Sequence, residues 1–248
     1  MIVEYHRPNS VNESLHLLAR ESPRTYPMGG GTVLNMPGTD PIAVVDLQDL
    51  GLGTLDQANT TWSIGATVTL QQLIQQETLY PALKAAIRHE ATYNIRQMAT
   101  TAGTLVSGNG RSPFSAVMLA LGAQMVLMPR NENVPLGKYL LFREDKQPDH
   151  IITQVIVPSN LKLAYEYVAR TPADLPIVCA AVAQWPSGRT RVVLGGYGTS
   201  VLLAFDGPDP TGVEIAARDA YSEAGDEWAS AEYRSDIAAT LIRRCLQR

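Results

Sequence analysis

Three consecutive glycines, Gly29-Gly30-Gly31, separate two apolar stretches and constrain this chain more than any other feature. Residues without a Cβ are held in series where backbone turns sharply or lies closer to a neighbour than a side chain permits. The flanks set the context. Ile2-Val3-Glu4-Tyr5 alternates as a strand, and Pro8-Asn9-Ser10 supplies breakers and an N-cap ahead of Val11, Leu15, Leu17 and Leu18 at helical spacing. Beyond the glycines, Ala43-Val44-Val45-Asp46-Leu47 is an apolar run of the kind buried in a parallel sheet. These pieces predict a compact βαβ-like unit with the Tyr26 to Asn35 glycine turn at its centre. Successive N–H groups in such a turn can converge on one concavity and receive an anionic group, with the Thr32 hydroxyl as an added donor. A turn that needs glycine for sterics alone is the other reading at this point, and the spacing of the GxGxxG dinucleotide fingerprint is absent.

Further along, alternation between Leu52 and Ala66 around Gln57-Ala58-Asn59-Thr60 predicts a hairpin, followed by helical spacing over Thr69 to Ile74 and Leu79 to Ala91. Asn94 to Gly110 is small, hydroxylic and glycine-rich, and is expected to be a loop that lets backbone approach a ligand. It leads into an apolar helix over Phe114 to Leu121 and a strand over Gln124 to Met128, so that a helix N-terminus would face the same ligand. From Asp149 the pattern changes to longer alternating runs. Ile151 to Val157, Leu161 to Ala169, Ile177 to Gln184 and Thr190 to Leu194 predict an antiparallel sheet, with a hairpin turn at Pro186-Ser187-Gly188. Two helices, Thr211 to Glu223 and Ser230 to Leu246, close the chain. An α/β N-terminal half is thus expected to meet an α+β C-terminal half near Gln147-Pro148-Asp149.

The remaining composition narrows the function. A net charge of -4 provides no basic face for a phosphate backbone, so nucleic acid is not an expected partner. The N-terminus lacks the basic and apolar regions of a signal peptide and no stretch approaches a membrane span, so the chain reads as cytoplasmic. Cys179 and Cys245 stand alone, and His6, His16, His89 and His150 are scattered, so no metal site is expected. No Gly-x-Ser-x-Gly elbow is present and no catalytic base stands out. Redox chemistry here would need a bound organic cofactor or a metal-carrying partner. Arg243-Arg244 suits a helix C-terminus, and Tyr165 and Tyr167 alternate on a strand, one packed and one exposed.

Five ordered landmarks then carry a resemblance. Gly29-Gly30-Gly31-Thr32 is similar to the Ala-Gly-Gly-Thr-type loop, and Ile95-Arg96-Gln97-Met98-Ala99-Thr100-Thr101-Ala102-Gly103-Thr104 to the Ile-Arg-Asn-x-Ala-Thr-x-Gly-Gly-Asn-type loop, of the FAD-binding medium subunits of molybdenum hydroxylases. This family includes the carbon monoxide dehydrogenase medium subunit and the flavin domain of xanthine dehydrogenase. The second loop's likeness continues without a gap into Val117 to Ala123, and the remaining landmarks are Tyr165 to Arg170 with Asp174 to Val178, Leu194-Gly195-Gly196, and Ser230 to Arg234 leading to Arg244. It departs at Val33, at Ala102-Gly103-Thr104 where Gly-Gly-Asn is usual, and at Pro113, which occupies the position of an aspartate that contacts flavin. The stretches Leu136 to Asp149 and Gly198 to Thr211 are short against the family pattern.

The resemblance implies an α+β fold: two small α/β subdomains of the PCMH-type FAD-binding fold over residues 1–148, dividing near 50–60, then an antiparallel sheet packed with helices over 149–248. It implies FAD as cofactor, held by Met28, Gly29, Gly30, Gly31, Thr32, Val33 and Leu34 in the first loop, and by Thr100, Ala102, Gly103, Thr104, Asn109, Ser112 and Pro113 in the second. It also implies an oxidoreductase component that passes electrons from a partner's iron–sulfur clusters through FAD to an external acceptor. The partners would be a molybdopterin-binding large subunit and a 2Fe–2S small subunit. Two other readings stay open: a flavin-free structural subunit of such a complex, favoured by Val33, Ala102 and Pro113, and a free-standing flavin oxidase, for which no substrate base is found.

Overall fold

The computed structural model describes residues 1–35, 40–142 and 149–248. The chain opens with β1 (Ile2–His6), α1 (Val11–Leu18), β2 (Arg24–Met28), β3 (Ile42–Asp46), β4 (Leu55–Ala58) and β5 (Thr61–Gly65). Five helices follow: α2 (Leu70–Gln75), α3 (Pro81–Glu90), α4 (Tyr93–Met98), α5 (Thr101–Ser107) and α6 (Pro113–Ala120). Next come β6 (Gln124–Met128), β7 (Glu132–Pro135), α7 (Leu136–Phe142), β8 (Ile151–Pro158), β9 (Lys162–Val168), β10 (Val178–Gln184), β11 (Thr190–Gly195) and β12 (Leu202–Gly207). The helices α8 (Val213–Ala220) and α9 (Ala231–Leu246) end it.

Two compact units share these elements. The first comprises Met1–Gln75, Tyr93–Ser107 and Gln124–Val157. Its three-stranded sheet runs β1-β3-β2, both pairings parallel, with the apolar β3 in the middle and buried from Ala43 onward. Ser10 Oγ accepts the Glu13 N–H at 3.2 Å and starts α1, which delivers Leu18 to a cluster with Val45, Leu47 and Ile151. Burying each of these side chains is worth about 1.5–3 kcal/mol. A five-stranded sheet, β4-β5-β8-β6-β7, completes the unit, its first hairpin turning at Asn59 with φ 51°.

The second unit comprises Gln76–Thr92, Gly108–Ala123 and Pro158–Arg248, built on the antiparallel sheet β12-β11-β10-β9. Residues Val178 to Ala183 of β10 are all buried, which requires cover on both faces. On one face Ala180 and Val182 pack in a cluster with Val213 and Ala217 of α8 and Leu241 and Ile242 of α9. The helix α6, buried along its whole length, lies against β10, β11 and α3. Arg234 of α9 is fully buried and is held by Asp226 at 2.7 Å.

Three expectations need correction. The segment Asn94 to Gly110 is not a loop over its length, because α4 and α5 occupy most of it. Its Thr and Ser residues bond back one helical turn, Thr104 Oγ1 to Thr100 O and Ser107 Oγ to Gly103 O, both at 2.8 Å, and so accommodate helix where their composition reads as coil. The strand Ile151 to Val157 does not join the C-terminal sheet: it is β8 and pairs with β6, since alternation identifies a strand without naming its partner. The elements β7, α7 and β12 lie in stretches where no element is expected from sequence. Of the expected boundary Gln147-Pro148-Asp149, Gln147 and Pro148 lie outside the described residues. Tyr165 is buried and Tyr167 is 39% exposed, the alternation expected of β9.

Candidate functional site

Within the first unit, β2 and β3 run parallel and end opposite one another at Met28 and Asp46. The glycine turn leaves the C-terminal end of β2, the edge at which open parallel sheets gather ligands. A Cβ on Gly29 would lie 2.4 Å from Thr100 Oγ1, and one on Gly30 would lie 1.6 Å from the Met98 carbonyl oxygen. No side chain fits at either position. The two glycine-rich segments are therefore brought together, with the Met98-Ala99-Thr100 connection between α4 and α5 forming one wall of the turn. Gly31 takes φ +67°, a left-handed conformation that glycine adopts without strain.

Among the described residues, the hydrogen bonds that fix this turn are made to its carbonyls. Leu47 N–H donates to Met28 O at 3.0 Å, Gln48 Nε2 to Gly29 O at 2.9 Å, and Asn35 N–H to Gly31 O at 3.1 Å. Among the described residues, no protein acceptor takes the N–H of Gly29, Gly30, Gly31, Thr32 or Val33. Met28 to Thr32 and Leu34 are half-buried, while Val33 is 48% exposed. A row of half-buried donors without acceptors, in a turn where Gly29 and Gly30 leave no room for a Cβ, fits an anionic ligand bound through backbone alone.

The start of α5 differs from the glycine turn. In α5, the N–H and hydroxyl of Thr101 both bond Val68 O, Ala102 N–H bonds Ala66 O, Gly103 N–H bonds Thr100 Oγ1, and Thr104 N–H bonds Thr100 O. The first three of these N–H groups are donors that a helix start leaves open, and the fourth makes the helix's own first bond. Thr100, Ala102 and Thr104 are buried, and Gly103 is exposed.

Asn109, Ser112 and Pro113 belong to the second unit. The exposed Asn109 accepts the Arg111 N–H on its side chain at 2.8 Å, and Gly110 lies against Tyr197 and Gly198, where a Cβ would be 2.0 Å from the Tyr197 carbonyl oxygen. Ser112 is the N-cap of α6 and Pro113 its first residue, both buried. The Ser112 hydroxyl donates to Glu90 Oε2 at 2.8 Å and the Phe114 N–H to the same oxygen at 2.9 Å. Ser115 N–H donates to Ser112 Oγ at 3.0 Å. Glu90 thus bridges the residues on either side of Pro113, and burial pushes its carboxyl up from the usual range.

Next to it, His89 is buried with Nε2 2.6 Å from the Asp174 carbonyl and Nδ1 2.9 Å from the Tyr165 hydroxyl. The carbonyl can only accept, so Nε2 carries the proton and Nδ1 accepts from tyrosine. Burial pushes the His89 pKa down, with the Asp174 carbonyl opposing in part. The unfolded imidazole takes up a proton near pH 6.5, so this folded-state depression is stabilising in full above that pH and is lost as pH falls below it. We expect the melting temperature of the parent to fall more than that of His89→Gln between about pH 7.5 and about pH 5.5, as scanning calorimetry would show. Equal declines would remove His89 from the acid sensitivity.

Neither cysteine is set up as a nucleophile, since burial pushes both the Cys179 and the Cys245 thiol up to about 12. Among the described residues no group of three His, Cys, Asp or Glu side chains could hold a metal ion, and no helix is long and apolar enough to cross a membrane. Gln48 and Glu90 are missed by sequence reasoning. Gln48 lies just beyond an apolar strand and Glu90 ends α3 after Arg88 and His89, and nothing local distinguishes either from a solvated surface side chain.

Residues 1–160 match the family described as the FAD binding domain in molybdopterin dehydrogenase. Over 98% of its length the chain is 28% identical to an uncharacterised protein, YgfM, of Escherichia coli strain K12, covering 94% of that relative. It is 26% identical over 99% of its length to the carbon monoxide dehydrogenase medium chain of Afipia carboxidovorans, covering 96% of it. Its fold superimposes on a chain of the reconstituted CO dehydrogenase from Oligotropha carboxidovorans with a TM-score of 0.82 and 26% identity, covering 99% of this chain and 96% of that one.

Proposed function

Because the chain belongs to the family of FAD-binding domains of molybdopterin dehydrogenases, we propose that it is the FAD-binding medium subunit of a molybdenum hydroxylase, an oxidoreductase component that works with partner subunits. The observation that carries this reading is the row of backbone N–H groups from Gly29 to Thr32, half-buried and without protein acceptors. An FAD pyrophosphate is anionic, and charge-assisted bonds from backbone donors suit it without any cationic side chain. Gly29, Gly30, Gly31 and Thr32 hold the phosphates, Met28, Val33 and Leu34 flank them, and Thr100 with Gly103 closes the wall behind the turn. When bound, FAD supplies reversible electron uptake, while the protein supplies binding, orientation and exclusion of water. Electrons reach this site from a 2Fe–2S small subunit, which draws them from a molybdopterin-binding large subunit, and leave to an external acceptor.

A second reading has its own support. The N-terminus of α6 is closed by Glu90, Ser112 and Ser115, and that of α5 by Val68, Ala66 and Thr100, so neither presents donors outward. A flavin-free subunit that keeps the fold for assembly alone would show this closure. The absorption spectrum of the purified protein separates the two. Flavin bands, or their appearance on titration with FAD, support the first reading; their absence at saturating FAD in a folded protein supports the second. Purification at native expression levels should also recover a molybdopterin subunit and an iron–sulfur subunit. Recovery as an isolated monomer with no cross-linked partner would overturn the assembly.

A further inference from the structure

We infer that Gln48 is a positioning residue for the phosphate turn: its side-chain amide, donated to the Gly29 carbonyl, aims the Gly30 N–H at the bound pyrophosphate. The inference rests on the FAD reading above. Gln48 Nε2 lies 2.9 Å from Gly29 O. A carbonyl oxygen can only accept, so the amide orientation follows from chemistry. In a planar trans peptide the C=O and the following N–H point in opposite directions. Fixing the Gly29 carbonyl therefore fixes the Gly30 N–H. This restraint matters most in a glycine run, whose backbone loses more conformational freedom on ordering than that of other residues. The Asn35 N–H does the same for the peptide after Gly31 from within the turn. Gln48 acts from the end of β3.

Gln48 is itself held in place. Its N–H donates to Asp46 Oδ1 at 3.0 Å, and the Tyr5 hydroxyl bonds the other oxygen of the same buried carboxylate. A chain of bonds thus runs from β1 through the C-terminal end of β3 to the glycine turn. The Gln48 side chain is exposed and fills no part of the core, so removing its donor leaves the packing intact.

The experiment uses the full chain with three probes: FAD, ADP as a pyrophosphate without flavin, and riboflavin as a flavin without pyrophosphate. Gln48→Met keeps the approximate shape and removes the donor, while Gln48→Lys returns one. Gln48→Met should weaken FAD and ADP by roughly threefold to tenfold, the span of a single lost hydrogen bond, leave riboflavin unchanged and leave the melting temperature unchanged. At saturation the phosphorus resonances of bound FAD should move in Gln48→Met and return in Gln48→Lys. Parent-like affinity for FAD and ADP in Gln48→Met, or an equal loss for riboflavin, overturns the inference. If the parent binds FAD and Gly30→Ala weakens that binding while Gln48→Met is neutral, only the inference falls. If the parent binds neither FAD nor ADP, the FAD reading falls and the inference with it.

Discussion

Gly30→Ala is expected to weaken FAD binding by at least roughly tenfold and to lower the melting temperature as well. The added Cβ would sit 1.6 Å from the Met98 carbonyl oxygen and 2.4 Å from its carbon, both backbone atoms that cannot swing aside. Either the turn or the Met98-Ala99-Thr100 connection must move. That connection is tied down: Ala99 O accepts the Leu70 N–H at 2.9 Å, and the Thr101 N–H bonds Val68 O at 2.8 Å. The turn moves more readily, and its N–H groups leave their common direction. Losing one or two charge-assisted bonds, about 1.5–3 kcal/mol each, weakens FAD by roughly tenfold to ten-thousandfold. Overpacking adds a stability cost of about 1–3 kcal/mol. Gly51→Ala supplies the control for an added Cβ that meets no neighbour, because Gly51 has open space around it, with φ +71°. It should cost some stability and no affinity. Titration of FAD against both variants, with calorimetry on each, tests the pair. Parent-like affinity in a folded Gly30→Ala would remove this turn from the site.

Much of the first unit was legible because its signals are local and agree with one another. Ser10 caps α1 as its position before an apolar helical pattern requires, and the run from Ala43 is the buried middle strand of a parallel sheet. The glycine turn was legible as a close approach, although not what it approaches: Met98 and Thr100 lie some seventy residues on in sequence, a separation no spacing rule bridges. Asn94 to Gly110 misled for a physical reason. Thr101, Thr104 and Ser107 have hydroxyls that compete with helix in isolation, and here they bond within or beside the helix because Val68, Thr100 and Gly103 supply the acceptors. Tertiary neighbours, not propensity, decide that segment. The strand β8 was read correctly as a strand and assigned to the wrong sheet, since period-two alternation is blind to the partner across the ladder. At the site, residues that act through backbone were findable as glycines. Gln48 and Glu90 act through side chains aimed at distant loops, and their roles emerge only from coordinates.

Pro113→Asp is expected to destabilise the second unit, although the resemblance to flavin-binding subunits by itself points to tighter binding. Restoring an acceptor at this position should strengthen the cofactor site only if the side chain can reach a ligand. Pro113 is instead buried as the first residue of α6, where its missing N–H costs nothing and its fixed φ starts the helix. Glu90 Oε2 already takes the Ser112 hydroxyl and the Phe114 N–H on either side of it. A second carboxylate there enters a buried space beside one whose pKa burial has already pushed up, so the two cannot both ionise without large cost. The penalty should be on the order of 2–4 kcal/mol at neutral pH, or roughly 4–16 °C in melting temperature for a chain of this size. The sign with pH follows from the raised folded-state pKa of such a pair. Protonation relieves the repulsion, so the penalty shrinks as pH falls and is fully present once pH rises above that pKa. Pro113→Asn, of similar size and uncharged, should lose less and show no such pH dependence. Adding Glu90→Gln to Pro113→Asp should recover much of the loss, and the double-mutant cycle isolates the carboxylate pair from the change in backbone. If Pro113→Asp keeps the parent melting temperature and tightens FAD by tenfold or more, the helix start must open to the cofactor, and the closure of α6 by Glu90 is not the bound-state arrangement.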